Sequence, residues 1–218
     1  MEEVVLIDKP KSWTSFDVVG KIRSQLRKST GQKVKVGHAG TLDPLATGLL
    51  IVLVGKATKQ QDSFMKQDKV YEVTMKLGQT STTADEEGEK TTISDRQSSL
   101  QEVQDAIRRF TGEISQVPPA YSAIKINGQR AYKLARAGKD VKIEPRLVTI
   151  YSIEHLTYEY PIITFTAKVS SGTYIRSLVT DIGEALGTGA YMMDLRRTQI
   201  GEHSVKEAQK VEPTDIAV

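Results

Sequence analysis

Lys35-Val36-Gly37-His38-Ala39-Gly40-Thr41-Leu42-Asp43-Pro44-Leu45-Ala46-Thr47-Gly48 sets one carboxylate, Asp43, in a short segment crowded with Gly, Thr and Pro. Gly37, Gly40 and Gly48 permit sharp turns or the close approach of a ligand, and Pro44 biases Asp43 toward an extended conformation. The apolar run Leu49 to Val54 follows at once and reads as a fully buried strand. A carboxylate held on a rigid connection against such a strand can act as a nucleophile or a base without a cofactor. Asp-Pro is also a common turn dipeptide, so local physics leaves an ordinary turn as the alternative.

The elements around this segment must position it. Val4 to Ile7 reads as a short strand, and Thr14 is an N-cap with Asp17 three residues on. Val18, Val19, Ile22 and Leu26 recur at helical spacing, which predicts a helix over 15–28. Val70 to Leu77 alternates, placing Tyr71, Val73, Met75 and Leu77 on one face of a half-buried strand. Gly78 to Ser94, polar and Thr-rich, reads as a loop, and Ser99-x-x-Glu102 as a capping box before a helix. Arg130 to Ala137 looks helical, Leu147 to Tyr158 and Ile162 to Val169 pair around Tyr160-Pro161, and a helix follows carrying Ile175, Leu178, Val179, Ile182 and Leu186. After Ile200 a short polar tail remains. Helices and strands without a regular βαβ alternation predict an α+β fold, one compact domain with a mixed, largely antiparallel sheet flanked by helices.

Composition narrows the function classes. With 39% hydrophobic and 26% charged residues the 218-residue chain is an ordinary globular one. No apolar run approaches a membrane span, and Met1-Glu2-Glu3 lacks a signal-peptide pattern, so the expectation is a cytoplasmic protein. Zero cysteines remove thiolate chemistry and cysteine–zinc sites. His38, His155 and His203 are scattered, which predicts no metal site; His155 reads as a structural strand residue and His203 as solvated. Gly55-Lys56-Ala57-Thr58 lacks the earlier glycine of a P-loop. The net charge is only +3, yet bases concentrate between Lys9 and Lys35 and between Lys125 and Arg146. These are two candidate phosphate-backbone surfaces or two solvated helix faces.

Gly37 to Gly48 closely resembles the catalytic motif of the TruB family of tRNA pseudouridine synthases. Asp8-Lys9-Pro10 with Thr14-Ser15 resembles that family's N-terminal motif, and Lys69-Val70-Tyr71-Glu72-Val73 its active-site tyrosine strand. Pro118 to Lys125, with Gly128, Tyr132, Ala135 and Arg136, is similar to its RNA-clasping segment, here about 117–146. Gly172 to Leu178 and Leu195-Arg196-Arg197-Thr198 match its last two motifs.

The resemblance implies a pseudouridine synthase fold and a cofactor-independent isomerisation of the T-loop uridine of tRNA, position 55; the expected state is a monomer. It maps the catalytic aspartate onto Asp43 and a charge-compensating arginine onto Arg176. Tyr71 would stack on the target base, Tyr174 and Leu195 would line the uracil pocket, and His38 would stack in the remodelled RNA loop. Arg130, Arg136 and Lys125 are RNA-contact candidates. Lys9 either contacts phosphate or supports the Asp43 segment. Three positions depart from the family pattern: Ser12 stands where glycine is usual, Ile51 where proline is common and Lys56 where glutamate is common. The tail of about 201–218 is too short for the PUA-type domain of many members. A glycoside hydrolase would work at the same anomeric carbon, but usually with two carboxylates, and these motifs supply one. A protein that only binds RNA would not need the Asp43, Tyr71 and Arg176 set.

Overall fold

The computed structural model describes residues 2–122, 124–126, 128–138 and 142–211. In chain order the elements begin with β1 (Glu2–Lys9), α1 (Ser15–Thr30), β2 (Val36–His38), β3 (Thr47–Gly55), α2 (Gln61–Met65) and β4 (Lys69–Leu77). Next come β5 (Gln79–Ser81), β6 (Lys90–Thr92), α3 (Leu100–Arg108), β7 (Gly112–Gln116), β8 (Lys125–Ile126), β9 (Gln129–Arg130) and α4 (Ala131–Arg136). The chain continues through β10 (Arg146–Glu159), β11 (Ile162–Val169), α5 (Ile175–Ala185), β12 (Ala190–Ile200), β13 (His203–Ser204) and β14 (Gln209–Lys210). It divides into two compact units, Met1–Glu72 with Leu195–Val218, and Val73–Asp194.

In the first unit the strand order is β14-β1-β3-β12, with β2 also on β3 and β13 on β12. β1 runs antiparallel to β3, whereas β12 is parallel to β3 and β14 parallel to β1. The apolar run of β3 has a direct explanation, because each face of the strand meets its own core. Leu50, Val52 and Val54 pack with Ile7, Trp13, Val18, Val19 and Val36, where α1 lays down its apolar stripe. Leu49, Ile51 and Leu53 point the other way, into a cluster with Ala39, Ala57 and Ile200. A strand buried on both faces has no need of polar alternation.

The second unit has the order β4-β11-β10-β7. β10 and β11 form an antiparallel hairpin about Tyr160-Pro161, and β7 pairs antiparallel with β10. Alternate residues Ile163, Phe165, Ala167 and Val169 of β11 are buried. Helix α3 packs against α5 and β10. The Ser99/Glu102 capping box forms as the sequence predicts, as does the Thr14/Asp17 box that starts α1.

Three expectations need correction. Gly78 to Ser94 is not wholly a loop: β5 and β6 pair antiparallel within it, Thr80 opposite Thr91. A hairpin of Gln, Thr, Ser and Lys has no apolar alternation to betray it, although threonine suits a strand. His155 lies within β10 as expected, but it is exposed, with φ 53° where the β10–β11 register shifts, and so is no enclosed structural residue. His203 is half-buried, its ring 5.7 Å from that of Phe64, because the tail folds back through β13 and β14.

Candidate active site

Asp43 is half-buried on the connection from β2 to β3, and side chains from three other segments hold that connection. The Ser15 hydroxyl, from the first turn of α1, accepts from Leu42 N at 2.9 Å and donates to Leu42 O at 3.1 Å. It therefore pairs with both backbone groups of the residue before Asp43, as a neighbouring strand would. On the other side, Ser12 N donates to Pro44 O at 2.9 Å. Lys9 Nζ donates to Pro44 O at 3.2 Å, and to Trp13 O at 2.7 Å and Pro10 O at 3.0 Å. Arg197 completes the frame: its guanidinium donates to Leu49 O at 2.8 Å, Gly40 O at 3.0 Å and Thr41 O at 3.5 Å. Ser15, Lys9 and Arg197 are all buried. Each satisfies loop carbonyls or amides that would otherwise be desolvated without a partner.

Gly48 closes the segment at φ 100°, and a Cβ there would meet the Arg197 backbone, with its nitrogen at 2.9 Å. Only glycine allows both that backbone angle and the parallel approach of β12 to β3. Burial lowers the Lys9 ammonium to about 8, opposed by the Asp43 carboxylate and reinforced by Arg197. Burial and Arg197 likewise bring Lys69 to about 8. His38 is pushed down by burial and then by Arg197, so its ring is neutral at physiological pH. Of the two alternatives for Lys9, its geometry is that of a support for the Asp43 loop; its ammonium is spent on carbonyls and away from solvent.

Tyr71 is 8% and Leu195 7% exposed, on β4 and β12. His38 ends β2, with its carbonyl accepting from Gln61 Nε2 at 2.9 Å.

In the second unit Arg176 opens α5 and is buried. Its guanidinium donates to Thr83 O at 3.0 Å and Tyr121 O at 2.8 Å and pairs with buried Asp85 at 3.4 Å. Arg176 is therefore an enclosed ion-pair partner of Asp85 and not a surface arginine. Asp85 lies within the polar, Thr-rich stretch Gly78 to Ser94, where nothing in the local sequence hints at an ion pair. Tyr174 N-caps α5, bracketed by Gln116, whose Oε1 accepts from Tyr174 N at 2.8 Å and whose Nε2 donates to Tyr174 O at 3.1 Å. The Arg146 guanidinium lies 4.7 Å from the Tyr174 ring centre and bonds the Gly172 carbonyl.

Arg130 and Arg136 are exposed. The Lys125 side chain lies outside the described structure, as do Lys139 and Asp140 of the same basic segment. Among the described residues, no group of three or more His, Asp or Glu side chains could hold a metal ion.

The family model for the TruB family pseudouridylate synthase N-terminal domain matches residues 27–175, and that for the tRNA pseudouridylate synthase B C-terminal domain matches residues 176–217. The chain belongs to the TruB family. The tRNA pseudouridine synthase B of Parabacteroides distasonis is 45% identical over 215 residues, 98% of this chain and 92% of that protein. The protein of the same name from Clostridium novyi is 50% identical over 201 residues, 92% of this chain and 68% of its own length. Among solved structures, a chain of a Cbf5-Nop10-Gar1 complex aligns with a TM-score of 0.72 at 32% identity, over 95% of this chain and 52% of that one. The chain thus spans about half the length of that solved relative.

Membership of the TruB family gives the Ser12 departure a structural meaning. Ser12 has φ 69°, a left-handed backbone that glycine adopts without penalty. Ser12 therefore carries local backbone strain while its amide still donates to Pro44 O. Two positioning residues, Ser15 and Arg197, carried no assigned role in the sequence, although both stand inside TruB-like motifs.

Proposed function

We propose that this chain is a tRNA pseudouridine synthase whose catalytic residue is Asp43. The observation that carries the reading is the Asp43 connection itself: buried Ser15, Lys9 and Arg197 fix its backbone while Asp43 stays half-buried. Such a frame fixes the position of a reacting carboxylate before substrate arrives. It is consistent with family membership and with relatives named tRNA pseudouridine synthase B.

In the reaction the N1–C1′ glycosidic bond of a uridine breaks, the uracil turns and a C5–C1′ bond forms. C5 gives up its proton and N1 takes one, so atoms balance and no oxidant or cofactor enters. The Asp43 carboxylate acts on the ribose, either by attack or by removing a proton. The target, the T-loop uridine at position 55, must leave its stack to reach an aspartate held this way. Tyr71, Tyr174, Arg176 and Leu195 are the proposed contacts of the flipped uridine, and His38 stacks on the RNA left behind. Arg130, Arg136 and Lys125 are proposed contacts to the backbone of the T arm. The enzyme works as a cytoplasmic monomer.

The test is Asp43→Asn. The variant is expected to lose tritium release from tRNA labelled at uridine C5 while binding the tRNA within about threefold of the parent. Retained turnover would remove Asp43 from the chemistry. Mapping pseudouridine in tRNA incubated with the parent enzyme checks the position modified.

A further inference from the structure

Phe16 stands in the first turn of α1 with 74% of its surface exposed, the most open of the large apolar side chains among the described residues. The same helix buries Val18 and Val19, so the amphipathic pattern of α1 does not require an aromatic at this position. A lone exposed apolar residue would need no explanation, but Phe16 has a companion. Its ring meets the His38 ring at 5.3 Å between centres and 83° between planes, an edge-to-face pair. His38 is anchored from behind, by β2 pairing with β3 opposite Val52 and by Gln61 on its carbonyl. Its Nδ1 is buried and finds no hydrogen-bond partner among the described residues. The imidazole is thus held as a flat, uncharged wall beside an open phenyl face.

The surroundings favour nucleic acid over a protein partner. Exposed Lys11, Arg27, Lys28, Lys33 and Lys35 lie on the same stretch of chain, and bases interleaved with exposed aromatics are the pattern of single-stranded RNA contact.

We propose that Phe16 and His38 form an L-shaped two-ring platform for an unstacked base of the tRNA loop: the rings stand at right angles, so the base stacks on the open Phe16 face and turns its edge to the imidazole. The proposal rests on the reading of tRNA as the substrate. It makes Phe16 a substrate-binding residue, one that adds affinity and leaves the chemical step alone.

The experiment is filter binding of an unmodified tRNA transcript to the parent, Phe16→Ala, Phe16→Leu and Phe16→Trp, followed by single-turnover tritium release at saturating enzyme. Phe16→Ala is expected to raise Kd about tenfold, within the range that base–aromatic stacking supplies. Phe16→Leu should be nearly as weak, since it restores apolar area without a planar face, and Phe16→Trp should bind within about twofold of the parent. The saturated rate should stay within about twofold in all three. Unchanged Kd in Phe16→Ala, Leu binding as well as Trp, or a fall in saturated rate at constant Kd would each overturn the platform. Binding is read without turnover. A parent that binds tRNA through Phe16 but makes no pseudouridine would therefore sink the proposed activity and leave the platform standing.

Discussion

Ser12 shows how one backbone angle is settled between two opposing costs. A non-glycine residue in the left-handed region costs about 1–2 kcal/mol, whereas glycine forfeits about 0.5–1 kcal/mol through its greater freedom when unfolded. The first exceeds the second, so Ser12→Gly, at φ 69°, is expected to stabilise the chain by about 0.5–1 kcal/mol. That corresponds to a rise in Tm of about 1–4 °C for a chain of this size, read by scanning calorimetry. The Ser12 amide still reaches Pro44 O in the variant, so tRNA turnover should not change. A lowered Tm would mean that the serine side chain earns its place in a way the backbone does not reveal. At the same scale, Lys9 and Arg197 show that charge need not mean contact with solvent or phosphate. Both are enclosed: Lys9 ties Pro44 of the Asp43 loop to the Pro10 and Trp13 carbonyls, and Arg197 holds the Gly40, Thr41 and Leu49 carbonyls.

Helix α1 does three separate jobs with adjacent residues. Thr14 caps it, Ser15 clamps Leu42, and Phe16 stands open on the surface. This adjacency allows stability and positioning to be measured apart. Thr14→Ala removes the cap and should cost about 1 kcal/mol, with the single-turnover rate of the folded enzyme unchanged. Ser15→Ala strips both backbone groups of Leu42 of their buried partner, and each such loss costs about 1–3 kcal/mol. It should therefore lower Tm more than Thr14→Ala does. It should also slow the saturated single-turnover rate tenfold or more, because Asp43 follows Leu42 directly and small displacements of a reacting group are costly. Urea melts and rapid-quench tritium release on both variants check this. Equal saturated rates would reduce Ser15 to a packing residue.

For the whole molecule, the group expected to shape stability against pH in the acid range is Asp181. It lines a cleft of ≈ 320 Å³ within the second unit, together with Thr80 to Ala84 and Val117 to Tyr121. Burial, and then the neighbouring Glu184, raise its carboxyl from the usual 3.8 to about 6. Between those values the folded chain holds a proton that the unfolded chain has released, so stability falls as pH rises from about 4 to about 6. Above that window the penalty is complete. Asp181→Asn should therefore raise Tm at pH 7 and leave it nearly unchanged at pH 4. Thermal melts of both proteins across that range would refute the assignment if the difference were flat. The sequence by itself determined the α+β class, both capping boxes, the doubly buried β3 and the TruB-like motifs with Asp43 among them. These are written in local spacing and residue type, which neighbouring residues along the chain are enough to express. Tertiary structure alone decided that Arg176 is buried against Asp85, that Ser15 and Arg197 hold the Asp43 loop, and that Phe16 stands beside His38. Those relations join residues 22 to 157 positions apart, and no periodicity records which distant carbonyl, carboxylate or ring a side chain will meet once the core has closed.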